Sequence, residues 1–147
     1  MPPTGAAPKT FLSRKFNVQI QGIQQAIFSE CSGLQVETEV FEYMEGGRND
    51  YVHKLPGRTK VSNVTLKWGV TDGHDLWDWF KSVARGQGQV QRKNVSIVLQ
   101  DPRGNEVTRW TFLEAYPVKW VGPAFKAGET AVAVETLELA HRGLELG

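Results

Sequence analysis

The chain has 147 residues, 40% hydrophobic and 22% charged, enough for one domain to bury a sizeable core. Its formal net charge of +1, from nearly balanced acids and bases, advertises no strongly basic surface made for nucleic acid or anionic membrane and leaves room only for a local patch. A single cysteine, Cys31, excludes an internal disulfide framework and suits folding in a reducing compartment.

The opening MPPTGAAPKTFLSRKF lacks the basic and apolar regions of a secretory signal, and no run approaches the roughly 18 apolar residues of a membrane helix. The expectation is a flexible segment over residues 1–14, one domain over 15–147, and assembly in the cytoplasm without a signal peptide. In KFNVQIQ, Phe16, Val18 and Ile20 alternate with Asn17, Gln19 and Gln21, the period of a half-buried strand. AIFSEC reads as a short strand. LQVETEVFEY reads as another, with Leu34, Val36 and Val40 on one face and Glu37, Glu39 and Phe41 on the other. FEYMEGGRNDYVHKLPGR, residues 41–58, then reads as a long charged connection, far longer than a hairpin needs. KVSNVTLKWGV follows as a strand with Val64, Leu66, Trp68 and Val70 on its apolar face.

The period changes in HDLWDWFKSVARG. Leu76, Trp79, Phe80 and Val83 fall at helical spacing and form the expected core face of a helix at about residues 74–85. Asp72 is the N-cap candidate, and Gly86 is placed to end the last turn. NVSIVLQ resumes the strands, and DPRGN supplies a turn. EVTRWTFLEAYPVKW is a strand interrupted at Pro117, and AVAVETLELAH is the last. The fold class is mainly β: a barrel or sandwich of antiparallel strands with one packed helix.

The chemistry-bearing residues are sparse. Asp72, His74, Asp75 and Asp78 are explained by capping and the helix dipole better than by a metal. Cys31 has no partner at a nucleophile's spacing and reads as a small buried hydrophobe; His53 and His141 read as solvated. EGGRND lacks the phosphate-loop pattern. Trp68 and Trp79 belong to apolar faces, while Trp77, Trp110 and Trp120 stay unassigned. No catalytic residue, cofactor or metal is expected. Two classes stay open on these residues, a soluble β-sandwich ligand-binding module using exposed tryptophans and an enzyme with an unrecognised site.

Read together, FNVQIQG, FSECSGLQVETEVFEYMEGGRND, KLPGRTKVSNVTLKWGV, LWDWF, VSIVLQDPRGNEVTRWTFLEAYPVKW and AVAVETLELAHRGLEL resemble the tail-tube protein of contractile phages. The likeness is nearest to inner-tube proteins of extracellular contractile injection systems, and the type VI haemolysin-coregulated protein shares the fold. The resemblance implies a structural subunit, six to a ring, whose rings stack into a hollow tube that a contracting sheath drives through a target envelope. Its implied partners are further copies of itself, a sheath protein, baseplate and tube-terminating proteins, and cargo in the lumen, either a protein effector or DNA. A baseplate-proximal tube initiator is the alternative within the family. The particle is either released, membrane-anchored or cytoplasmic. The resemblance also makes the long connection a contact between subunits or rings, through Glu45, Gly46, Gly47, Arg48, Asn49, Asp50 and Tyr51, with Leu55, Pro56 and Gly57 beside them.

Overall fold

Alternating apolar residues become strands nearly everywhere the sequence shows them. A computed structural model describes residues 7–23, 27–43, 53–86 and 91–147. Along these run β1 (Phe16–Ile20), β2 (Phe28–Ser32), β3 (Val36–Tyr43), β4 (His53–Val61), β5 (Val64–Gly69), α1 (Asp75–Ala84), β6 (Lys93–Gln100), β7 (Glu106–Val121), β8 (Val134–Ala140) and β9 (Gly143–Leu146).

A seven-stranded antiparallel sheet follows the order β1-β6-β7-β8-β5-β2, with β9 paired to β7, while β3 and β4 form a separate two-stranded sheet. The large sheet rolls around one core because the inward residues of all its long strands meet. Val64, Leu66 and Trp68 of β5, Val95 and Ile97 of β6, Phe112 and Ala115 of β7, and Leu137 and Leu139 of β8 form one buried cluster. The roll depends on β7, whose 16 residues pair with β6 and β9 in their first part and with β8 in their last. At the bend Glu114 takes φ 50°, and its amide donates to Asn94 Oδ1 at 3.1 Å. That left-handed conformation is unfavourable for a residue with a Cβ, so the side-chain acceptor of Asn94 and the shift in β6–β7 register sustain it together. A second register shift follows Pro117, where the interruption was expected; Pro117 is fully buried.

α1 closes onto this core. Leu76 and Trp79 are buried, Phe80 and Val83 pack partly against the cluster, and Trp79 Nε1 donates to the Gln91 carbonyl at 2.8 Å. Gly86 ends the helix as expected, with φ +59° and its amide on the Val83 carbonyl at 3.2 Å. Asp72 is not the cap: the helix starts at Asp75, His74 holds the cap position, and no side chain caps it. Asp72 lies two residues too early, and the preceding turn is held instead by the Gly73 amide on Thr71 Oγ1 at 3.2 Å.

Two further expectations change. Val70 is exposed, because β5 ends at Gly69 where the chain turns toward α1. KVSNVTLKWGV is not one strand: it breaks at residues 62–63, between β4 and β5.

Candidate assembly surface

Both ends of the stretch 41–58 are strand, which corrects its reading as a connection over its whole length. Residues 41–43 complete β3 and 53–58 begin β4, so Leu55, Pro56 and Gly57 sit inside a strand rather than in a loop. Glu45 to Tyr51 lie outside the described residues.

β3 and β4 form a two-stranded arm. Its register runs from Val36 opposite Val61 to Tyr43 opposite His53 and shifts between Thr38 and Val40. Gly57 permits that irregularity, since a Cβ there would lie 3.1 Å from the Glu39 carbonyl oxygen. Pro56 is tolerated next to it because a bulge does not require every ladder donor. Thr38 and Thr59 share a hydroxyl bond of 2.8 Å, Lys60 reaches Glu39 at 3.4 Å, and the rings of Tyr43 and His53 stack with centroids 5.1 Å apart. Glu37 faces Lys60 and Glu42 faces Lys54 across the strands, so the arm compensates its own charge.

What the arm does not do is bury its apolar side chains. All eight residues of β3 and residues 54–60 of β4 are exposed. Val36, Val40, Phe41, Tyr43 and Leu55 are between 43% and 64% exposed. An isolated two-stranded ribbon is marginal in water, and one presenting Phe, Tyr, Leu and Val invites a cover. The sequence carried a signal for this: Phe41 stands on the face assigned to Glu37 and Glu39, so neither face of β3 is purely polar.

At its root the arm continues the body. β2 runs into β3 through residues 33–35 and β4 into β5 through residues 62–63. Gly33 has φ +98°, and a Cβ there would run into the Asn63 carbonyl oxygen. His141, expected in solvent, is half-buried at this root. Its Nε2 donates to the Ser62 carbonyl at 2.8 Å, its Nδ1 lies 3.0 Å from the Gly143 carbonyl, and its ring meets Phe112 edge-on at 4.9 Å.

The body has an open seam. β1 pairs with β6 and β2 with β5, but the two do not pair with each other, although they end the same sheet path. An open groove of about 1180 Å³ lies along β1, lined by Asn17, Gln19, Ile27, Val70 and Asp75 among others. A second, more apolar one of about 540 Å³ lies toward Phe11, Phe16, Cys31 and Leu34. Cys31 is no nucleophile in this setting: burial first, then the neighbouring Glu30 charge, pushes its thiol up to about 12. Among the described residues no three His, Cys, Asp or Glu side chains gather to hold a metal, and none of the helices is long and apolar enough to cross a membrane.

Open sheet edges and an uncovered apolar arm define a structural protein whose surfaces suit assembly more than chemistry. The comparisons with known proteins agree. A family model described as T4-like virus tail tube protein gp19 matches residues 12–145, and the chain belongs to that family. It is similar to a chain in the anti-feeding prophage baseplate structure, six-fold symmetrised, at 29% identity and TM-score 0.82, covering 95% of this chain and 97% of the other. It is similar also to a chain in the sheath–tube complex of an extracellular contractile injection system, PVC, in the extended state, at 27% identity and TM-score 0.83, covering 94% and 91%. Hcp1 from Flavobacterium johnsoniae, at 17% identity and TM-score 0.55 over 90% of this chain and 94% of that one, shares the fold. No curated protein matches the sequence. The chain is a structural inner-tube subunit of a contractile injection system or phage tail.

Proposed function

We propose that six copies of this chain close into a ring, that rings stack into a tube, and that the β3–β4 arm is the part of each copy that lies on a neighbour. The observation that carries this reading is the arm itself, a folded ribbon whose apolar side chains stay largely exposed among the described residues. Fully burying a Val, Leu or Phe side chain is worth about 1.5–3 kcal/mol. Partial burial of five such side chains per copy therefore suffices to drive association once repeated around a ring. Covering the free edges of β1 and β2 would add the saturation of backbone groups that otherwise template aggregation.

In this reading the tube works mechanically and performs no covalent chemistry. A sheath surrounds it, a baseplate and a terminating protein bound its ends, and its lumen holds a protein effector or DNA. The described parts of the PVC and anti-feeding prophage assemblies supply the analogy for sheath and baseplate. In the same reading Glu45 to Tyr51, which lie between β3 and β4 in sequence, serve contact with the next ring or a neighbour, as do Leu55, Pro56 and Gly57 of β4.

Electron microscopy of the purified full chain tests this against an arm-shortened variant in which residues 40–56 are replaced by an Asn-Gly turn. The expected result is rings or tubes from the full chain and a folded, unassembled subunit from the variant, since none of the described arm residues belongs to the core. Normal tubes without the arm, or a full chain that stays monomeric even with sheath and baseplate partners, would defeat the reading.

A further inference from the structure

We infer that His141 is a positioning residue that sets the angle at which the β3–β4 arm leaves the body. This rests on the reading of the arm as an assembly contact. Two short segments, residues 33–35 and 62–63, carry the arm, and one backbone bond ties them together, from the Ser62 amide to the Gln35 carbonyl at 3.2 Å. Such a root bends easily unless the body grips it. Among the described residues two side-chain bonds reach it, both from β8 and the turn that follows. Asn63 Nδ2 donates to Glu138 Oε1 at 3.2 Å, an exposed bond between two flexible side chains. His141 Nε2 donates to the Ser62 carbonyl, a part-buried bond to the backbone itself, and so it constrains the path of the chain directly.

The imidazole can act as a bracket because it is held from three sides. Phe112 of β7 packs against its ring, the Gly143 carbonyl of β9 lies 3.0 Å from Nδ1, and the turn carrying it is fixed by the Arg142 amide on the Leu113 carbonyl at 2.8 Å. Both of its polar neighbours are carbonyl oxygens, which only accept, so a ring nitrogen that bonds either one does so as the donor. A glutamine places N–H donors at one end only and would face the other carbonyl with its own oxygen. Through His141, the position of β9 is thus transmitted to the arm's root.

Leverage makes one bond matter. β4 has nine residues. At about 3.3 Å per residue the arm is roughly 30 Å long, so a tilt of about 10° at its root moves the tip by about 5 Å, a full strand spacing. A displacement of that size is enough to take apolar side chains out of register with a neighbour.

The test uses the full chain as wild type, His141→Gln and His141→Ala. On the unassembled subunit, residual dipolar couplings report the arm's orientation relative to the body, and hydrogen exchange reports the Ser62 amide. Electron microscopy then counts tubes. In His141→Gln the body couplings and melting temperature should stay close to wild type and the arm couplings should lose their single orientation. Exchange at the Ser62 amide, whose own bond runs to the Gln35 carbonyl across the root, should rise as the loosened root opens that bond more often, and tubes should become rare. Unchanged arm couplings with unchanged Ser62 exchange would overturn the inference. So would loss of the body's fold in both variants, which would make His141 core support. If the arm-shortened chain still forms tubes, the assembly reading fails instead, and the couplings still decide whether His141 sets the angle.

Discussion

Arg109 on β7 donates from Nη1 to Gln19 Oε1 on β1 at 3.0 Å, spanning the strand between them. Under that bridge lies Val98 of β6, in register with both Asn17 and Arg109, only 3% exposed and yet outside the core cluster. Alternation turns Val98 away from the core, so what covers it is the outer layer of side chains, in which Arg109 is its cross-strand partner on β7. Glu106 holds the guanidinium in place through bonds of 2.8 and 3.3 Å and raises its pKa further. Val98→Ala should therefore cost about 2 kcal/mol, as for a buried valine losing two methyl groups. That cost should shrink in an Arg109→Ala background, where Val98 is already wet. Urea denaturation of the double-mutant cycle measures the coupling, and strict additivity would mean that Arg109 does not shelter Val98.

Trp79 anchors the helix to the sheet by burial and by its bond to the Gln91 carbonyl. Trp79→Ala should destabilise the subunit by about 3–5 kcal/mol, as truncation of buried aromatics does. Trp79→Phe should lose less, keeping most of the packing while leaving the carbonyl unpaired. Chemical denaturation of the unassembled protein gives both values.

Cys31 should react slowly with a disulfide reagent in the native protein at pH 8 and rapidly in urea, because the partly buried thiol stays protonated up to about 12. The linkage has a definite sign. The unfolded thiol ionises near the ordinary 9.0 and the folded one near 12, so stability falls as pH rises through that window. Cys31→Ser should flatten the alkaline part of the stability profile; an identical slope would place the effect on other groups.

Asp101 organises the turn between β6 and β7. Its carboxylate accepts the Asn105 amide at 2.9 Å, the Arg103 amide at 2.9 Å and the Asn105 side chain at 3.4 Å. These bonds, the Asn105 amide foremost, hold its pKa below the usual carboxylate value. The stability it contributes is present above the unfolded pKa and is lost as pH falls through the depressed folded one. Asp101→Asn should lower the urea midpoint at neutral pH, and the two proteins should converge in acid. A constant gap across pH would show that shape, and not charge, is what the turn requires.

The strands of the body and the face of α1 could be read from the sequence because local periodicity and burial coincide there. Val64, Leu66 and Trp68 alternate into the core, and Leu76, Trp79, Phe80 and Val83 line one helical face. The family likeness was carried by the same segments. The arm was misread in part: Pro56 and Gly57 are turn formers by local preference, but cross-strand pairing with β3 places them at a bulge inside a strand. His141 and Gly33 were invisible as partners because the carbonyls they meet, Ser62 and Asn63, are remote in sequence, and only the rolling of the sheet brings β8 beside the arm's root. Local composition determined which residues seek the interior and which period they follow. The third dimension decided which apolar residues had no interior left to enter, since that depends on how much core one 147-residue chain can enclose before its remaining strands project outward.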